Sequence, residues 1–168
     1  LEFRRVLFRS LFSGTIDSNI RYGKPEITDA QVKEAAEVAQ ATEFIDTKPE
    51  KYESPVSQGG TNVSGGQKQR LSIARAIAKD PEIFIFDDSF SALDFKTDSQ
   101  LRKALKEYTK DATTVIVAQR ISTILGADQI IVLDDGHMAG IGTHKELMAN
   151  CEVYQQIARS QLSEEELA

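Results

Sequence analysis

Apolar positions along this chain follow two spacings in turn. From residue 28 to 45 they recur at helical intervals in "TDAQVKEAAEVAQATEFI", where Thr28 and Gln31 stand at capping-box spacing. A second helical stripe runs through "SGGQKQRLSIARAIAKD", with Ser64 as its predicted N-cap and Pro81 as its end. An apolar run without alternation follows in "EIFIF", which predicts a strand buried on both faces.

The second half continues the alternation of helix and strand. An amphipathic helix is predicted for "KTDSQLRKALKEYTK", and another strand buried on both faces for "TTVIVA". A hairpin turning at Asp135 and Gly136 is predicted for "QIIVLDDGHMAGIG". A helix is predicted for "THKELMA", where Thr143 and Glu146 stand at capping-box spacing. Another is predicted for the tail "EVYQQIARSQLSEEELA", which ends in a frayed acidic segment. This order predicts an α/β fold with a parallel sheet core.

Ligands of parallel sheets bind beyond the carboxyl ends of the strands. Three polar residues fall at those ends: Asp87, Asp88 and Gln119. A carboxylate pair at the end of a strand is suited to holding a magnesium ion and activating a water.

Composition limits the classes of function. The chain has 168 residues, 40% of them hydrophobic and 27% charged, as expected of one globular domain with a core. Its net charge of -6 argues against nonspecific nucleic-acid binding. A lone cysteine, Cys151, excludes a disulfide framework and fits a reducing cytosol. No apolar run reaches the roughly 18 residues of a membrane helix, so a membrane role would need a partner or another segment.

The segment "VSGGQKQR" places two glycines after a serine N-cap at the start of a helix. Bare backbone N–H groups and the positive end of the helix dipole make such a terminus an anion site, and the Ser64 hydroxyl adds a donor. Taken alone, "SGG" favours a merely capped helix after a flexible loop. The longer run "NVSGGQKQRLSIARAIAKDPEIFIFDD" is far more specific.

This run resembles the ATP-binding cassette (ABC) ATPases. "VSGGQ" resembles their signature motif, "IFIFDD" their Walker B strand and "SALD" their D-loop. From Leu11 onward the resemblance covers nearly the whole chain and is closest to exporters, through "LFSGTIDSNIRYG", the "YESPVSQGG" loop and the switch-like "TTVIVAQRISTI". It implies a P-loop NTPase-like ABC ATPase domain, with a parallel sheet core and a helical signature subdomain, acting on ATP with Mg²⁺.

The resemblance also implies roles for single residues. Asp87 corresponds to the aspartate that holds magnesium, and Asp88 to a glutamate that polarises the attacking water. Gln119 stands where the switch loop normally has histidine. Residues of the signature motif would contact ATP bound to a partner domain: Ser64, Gly65, Gly66 and Gln67. The D-loop, which would communicate between the sites, comprises Ser91, Ala92, Leu93 and Asp94.

Asp88 and Gln119 depart from the family pattern, and both belong to the part of one ATP site that carries out hydrolysis. The carboxylate of Asp88 is pulled back by the length of a C–C bond, and misplacement by about 1 Å can cost on the order of 10²-fold in rate. Gln119 donates a hydrogen bond but cannot become cationic. The alternative that aspartate replaces the glutamate conservatively and still supports hydrolysis stays open for Asp88. Together the two changes predict a hydrolysis-impaired site in a heterodimer whose partner site is competent.

The N-terminal segment is a third departure. No GxxxxGK[ST] phosphate loop is present, and the glutamine that exporters carry before the "LFSG" segment is expected at Leu7. Residues 1–10, "LEFRRVLFRS", are therefore interpreted as a non-native or garbled segment on a truncated chain, with a divergent native strand as the alternative. Such a chain is not expected to bind ATP tightly by itself.

The predicted domain plan follows from these motifs. A partial nucleotide-binding domain spans residues 11–162. It comprises a helical subdomain at about 28–78, the Walker B to switch region at 82–124, and a C-terminal hairpin and helices at 129–162, followed by an acidic tail at 163–168.

The favoured hypothesis is an ATPase subunit that powers export from the cytoplasmic face of the cell membrane. Its partners would be a second nucleotide-binding domain and transmembrane domains fused upstream, with no nucleic acid. A soluble ABC ATPase of DNA maintenance or translation stays open, and so does a non-hydrolysing regulatory module.

Overall fold

The computed structural model describes residues 10–163. The chain divides into two compact units, one up to Val115 and the other from Ile116 onward. The predicted segment 1–10 lies outside the described residues except for Ser10, and the predicted frayed tail lies outside them except for Ser163. The predicted subdivision of residues 11–162 stays a prediction.

The first unit contains the signature segment. In chain order its elements are β1 (Gly14–Thr15), α1 (Ile16–Arg21), α2 (Asp29–Val38), α3 (Thr42–Asp46), β2 (Pro55–Val56), α4 (Gly65–Ile77), β3 (Ile83–Asp87), α5 (Phe95–Tyr108) and the start of β4 (Thr113–Val117). Strands β1 and β2 pair antiparallel. Strand β3 pairs with β4, which follows it through α5, a crossover of the kind that parallel strands require.

Helix α4 forms the centre of this unit. Its predicted buried stripe is confirmed, because Leu71, Ala74 and Ile77 are almost fully buried. Helices α1 and α2 both pack against it. The predicted N-cap is confirmed as well, since the Ser64 hydroxyl accepts a hydrogen bond from the Gln67 amide.

The predicted continuous helix over residues 28–45 is wrong, because α2 ends at Val38 and α3 begins at Thr42. Gln40 adopts a left-handed backbone with φ 55°. Its amide donates to the Glu37 carbonyl, and the Ala41 amide donates to the Ala36 carbonyl. This pair of bonds ends a helix in the Schellman manner, for which glycine is the usual signal. Glutamine at that position gave no such signal, so periodicity alone ran through the break.

The two strands predicted to be buried on both faces alternate instead. In β3, Phe84 and Phe86 are buried, whereas Ile83 is 59% and Ile85 70% exposed. The predicted burial of β4 is also wrong, because its pattern is largely exposed. One face of β3 packs on aromatic rings of its own unit: Phe84 meets Tyr108 edge-on. In residues 10–163 its other face is open to solvent.

The second unit is a hairpin backed by two helices. Strands β5 (Ile130–Asp134) and β6 (His137–Gly142) pair antiparallel, as predicted. Asp135 and Gly136 both have positive φ, which is the two-residue turn whose twist suits a hairpin. Helices α6 (His144–Asn150) and α7 (Glu152–Gln161) complete the unit. Their buried side chains share a core with β5, centred on Tyr154.

Across residues 10–163, no helix is both long enough and apolar enough to cross a membrane.

Candidate functional site

The N-terminus of α4 and the loop between β3 and α5 form one cavity. Its volume is about 400 Å³, and its lining combines the signature segment with the D-loop: Ser64, Gly65, Gly66, Arg70, Ala92, Leu93, Asp94 and Thr97. The structure therefore brings together two motifs that stand about 25 residues apart in sequence. All of these residues belong to the first unit.

Gly65 and Gly66 lie where the two motifs touch. A Cβ added to Gly66 would lie 3.1 Å from the carbonyl oxygen of Ala92 and 3.7 Å from a methyl group of Leu93. One added to Gly65 would lie 3.6 Å from the Ala92 Cβ. The contact at Gly66 is tight against backbone, so a side chain there would push the D-loop away.

The cap of α4 leaves backbone donors at the cavity. Ser64 Oγ accepts from the Gln67 amide at 3.2 Å, and Gln67 Oε1 accepts from the Ser64 amide at 3.1 Å. The first amides of a helix have no intrahelical partner, and they carry the positive end of the dipole. The Ser64 hydroxyl keeps its own proton to donate. This terminus is suited to an anion, whereas the Gln67 side chain is engaged in the cap.

Asp94 caps the second helix of the site. Its Oδ1 accepts from the Thr97 amide at 3.0 Å, and its Oδ2 accepts from the Thr97 hydroxyl at 2.7 Å. These two hydrogen bonds hold the pKa of Asp94 below its ordinary value. The cavity wall therefore carries an ionised carboxylate at neutral pH.

Arg70 is a site residue that the motifs did not reveal. Its Nη1 donates to the Gln40 carbonyl at 2.7 Å, and its guanidinium lies 4.8 Å from the centre of the Phe44 ring. Burial lowers the pKa of Arg70, while the carboxylates of Glu43 and Asp94 act in the opposite direction. Arg70 thus joins the cavity wall to the break between α2 and α3.

Gln69 is a second residue outside the predicted set. Its Nε2 donates to Ser91 Oγ at 3.2 Å, and its Oε1 accepts from the Ala92 amide at 3.0 Å. Helix α4 and the D-loop are therefore tied by hydrogen bonds as well as by the contact at Gly66. No sequence signal pairs Gln69 with Ser91, because the contact depends on the tertiary fold.

The two aspartates lie at the predicted place, the carboxyl end of β3. Asp87 is the last residue of the strand, and Asp88 follows with a left-handed φ of 47°. Aspartate is enriched in this conformation, which longer side chains visit less often. Residues 10–163 contain no group of three or more His, Cys, Asp or Glu placed to hold a metal ion. Magnesium, however, is usually bound by one or two carboxylates together with substrate phosphates and water, so the aspartate pair fits that ion.

Gln119 follows β4, as predicted, and belongs to the second unit. Its carbonyl accepts from Gln161 Nε2 at 2.9 Å, and Gln161 Oε1 accepts from the Ile121 amide at 2.9 Å. Gln161, on α7, therefore holds the backbone on both sides of Arg120. This role of Gln161 was not predicted, because nothing in the sequence indicates which loop α7 faces.

Comparison with known proteins gives consistent results. The family model described as ABC transporter matches residues 7–91, just over half of the chain. An uncharacterised ABC transporter ATP-binding protein of Mycobacterium tuberculosis is 47% identical over 154 residues, covering 90% of this chain and 26% of that protein. A protein of Staphylococcus aureus named as a multidrug export ATP-binding/permease protein is 47% identical over 147 residues, covering 88% of this chain and 25% of that protein.

A solved structure agrees with the sequence matches. The structure of a bacterial Atm1-family ABC exporter with ATP bound superposes with a TM-score of 0.88 at 37% identity, over 92% of this chain and 27% of that one. This likeness confirms the predicted fold class, an α/β domain of the ABC ATPase type. The chain spans about a quarter of the length of the curated relatives that it matches.

Proposed function

Because the chain belongs to the ABC transporter family, we propose that it is the ATP-binding component of an exporter, where it supplies energy by binding and hydrolysing ATP with Mg²⁺. One observation carries this proposal: the α4 N-terminus and the D-loop line a common cavity that is suited to an anion. The names of the Staphylococcus aureus relative and of the solved exporter support export over the soluble alternatives.

The cavity would receive the phosphates of an ATP molecule held by a partner domain. Ser64, Gly65 and Gly66 would bind it through the helix N-terminus and the serine hydroxyl. The ionised Asp94 on the same wall would oppose nearby negative charge, and Arg70 would offset it. In this proposal Gln67 acts by fixing the cap rather than by direct contact.

The chain's own site would use the end of β3. Asp87 would hold Mg²⁺, and Asp88 would polarise the attacking water, with Gln119 contacting the terminal phosphate. Magnesium bound there would neutralise phosphate charge. We propose that hydrolysis at this site is impaired, because the Asp88 carboxylate is short and Gln119 cannot carry charge. The left-handed backbone at Asp88 supports the short side chain, since aspartate tolerates it better than glutamate does.

The proposal implies a heterodimer. Its partner would be a second nucleotide-binding domain with a Walker B glutamate and a switch histidine. Transmembrane domains would be fused upstream in the full-length protein, at the cytoplasmic face of the cell membrane. The combined ATP-binding and permease name of the Staphylococcus aureus relative supports this arrangement.

ATP turnover of the full-length protein, measured alone and with its partner, tests the proposal. We expect rapid hydrolysis only in the pair, and export of a substrate that depends on it. Rapid turnover by the protein as a homodimer would contradict the impaired site. Failure of the pair to bind labelled ATP would contradict the function itself.

A further inference from the structure

We infer that Gln69 is a positioning residue that sets the D-loop against the signature helix and, through Ser91, sets the backbone at Asp88. Three hydrogen bonds carry this inference. Gln69 Nε2 donates to Ser91 Oγ at 3.2 Å, and Ser91 Oγ donates in turn to the Asp88 carbonyl at 3.3 Å. Gln69 Oε1 accepts from the Ala92 amide at 3.0 Å.

Each group in these three hydrogen bonds has the donor or acceptor that its bond requires. The Ser91 hydroxyl has one proton, which it gives to Asp88, and it uses a lone pair to accept from Gln69. The Gln69 amide uses one group as donor and the other as acceptor, so both of its ends are engaged with the D-loop. Glutamate in place of Gln69 would keep the acceptor for Ala92 but lose the donor for Ser91. A methionine of similar length would lose both.

The hydrogen bonds from Gln69 through Ser91 to Asp88 connect two regions of this chain. One would bind the partner's ATP and the other the chain's own ATP. The first turn of α4 faces the cavity for the partner's ATP, and Gln69 lies on the next turn of the same helix. Asp88 belongs to the chain's own ATP site. A shift of α4 on binding phosphate would therefore pull Ser91 and Ala92, and with them the carbonyl of Asp88. Gln69 touches no reacting atom in this scheme and acts only through the D-loop.

The catalytic consequence of this inference rests on the proposed function, but the positioning itself does not. Its first test is amide hydrogen exchange at Ala92 in Gln69→Met, Gln69→Glu and the unchanged protein. We expect Gln69→Met to speed exchange about two- to thirteenfold, the range that a net hydrogen bond of about 0.5–1.5 kcal/mol corresponds to. Gln69→Glu should retain protection, because its carboxylate still accepts from Ala92. Gln156→Met, on the exposed side of α7, is the control.

The second test is ATP turnover of the full-length pair. We expect Gln69→Met and Ser91→Ala each to lower kcat about tenfold while KM for ATP stays within about twofold. Ala92 and Leu93 of the D-loop line the cavity proposed for the partner's ATP, where turnover would occur, and misplacement by about 1 Å can cost on the order of 10²-fold. The double variant should fall no further than about twofold below either single one, since both residues act on one path.

Equal exchange at Ala92 in Gln69→Met and the unchanged protein would overturn the inference. So would equal effects of Gln69→Met and Gln69→Glu on exchange, whereas an unchanged kcat in Gln69→Met would overturn its catalytic consequence. If the unchanged pair neither binds nor hydrolyses ATP, the proposed function fails, and the exchange data alone then decide whether Gln69 positions the D-loop.

Discussion

Gly66 lies against Ala92 so closely that a Cβ on Gly66 would stand 3.1 Å from the Ala92 carbonyl oxygen. The neighbouring atom is backbone, which moves only with the whole loop. The second glycine of the signature segment therefore packs tightly against the D-loop, and this is separate from its proposed role of presenting an amide to an anion.

Valine at this position should displace the D-loop. Its Cβ meets the Ala92 carbonyl and its branches approach Leu93, so we expect Gly66→Val to lower the free energy of unfolding by about 1–3 kcal/mol, as for an overpacked contact. Urea unfolding measures the change. Gly126→Val is the matched control, because a Cβ at Gly126 meets nothing within 4 Å. Equal losses in the two variants would show that the contact is unimportant.

Arg70 should stabilise the break between α2 and α3. Arg70→Met keeps much of the side-chain volume but removes the bond to the Gln40 carbonyl and the contact with the Phe44 ring. We expect the free energy of unfolding to fall by about 1–3 kcal/mol. Arg159→Met, at an exposed position of α7, should change it by less than about 0.5 kcal/mol. A loss at Arg70 no greater than at Arg159 would refute this assignment.

The Asp94 cap should make stability depend on pH. Hydrogen bonds from Thr97 depress the pKa of Asp94. Such a group contributes stability that is present in full above its unfolded pKa, about 3.9, and is lost as pH falls through the depressed folded value. Asp94→Asn still accepts from the Thr97 amide but does not titrate there. The urea midpoint of the unchanged protein should therefore exceed that of Asp94→Asn by less as the pH falls below about 4. A constant difference down to pH 2 would contradict the role of the charge.

The hairpin of the second unit offers an independent packing test. A Cβ on Gly140 would lie 2.9 Å from Cys151 Sγ and 3.0 Å from a Leu147 methyl group. Gly140→Ala should cost about 1–3 kcal/mol in the free energy of unfolding, and Cys151→Ala should recover part of that loss in the double variant. Additive effects in this cycle would indicate that the two residues do not press on each other.

The parts of the fold that could be predicted from sequence are those set by local chemistry. The caps at Thr28, Ser64 and Thr143 and the turn at Asp135–Gly136 each depend on residues within three or four positions, and all are confirmed. The break at Gln40 was missed because the residue that allows it is not glycine. The burial of β3 was overestimated, since an unalternating apolar run does not reveal which face is covered.

In the candidate site, too, local motifs could be predicted from sequence and tertiary contacts could not. The signature segment and the D-loop were predicted as motifs, but no local rule predicts that Gly66 touches Ala92. Gln69 and Arg70 were missed for the same reason, since their partners lie about 20 to 30 residues away in sequence. The roles of Asp87, Asp88 and Gln119 stay predictions.

In the proposed heterodimer, the partner's site hydrolyses ATP while the site at Asp88 is impaired. Steady-state ATP turnover of two matched pairs of variants in the full-length heterodimer tests this central claim most directly. Ser64→Asp keeps a good helix cap but sets a carboxylate where phosphate would bind, whereas Ser64→Asn keeps the cap without the charge. Asp88→Asn removes the charge from the impaired site, and Asp88→Glu supplies the longer carboxylate.

We expect Ser64→Asp to lower turnover more than about tenfold while Ser64→Asn and Asp88→Asn stay within about threefold. Two like charges about 4 Å apart near a protein surface repel by about 4 kcal/mol, well over the roughly 1.4 kcal/mol of a tenfold change. Loss of turnover in Asp88→Asn, with full turnover in Ser64→Asp, would show that the chain's own site does the hydrolysis and would contradict the proposal.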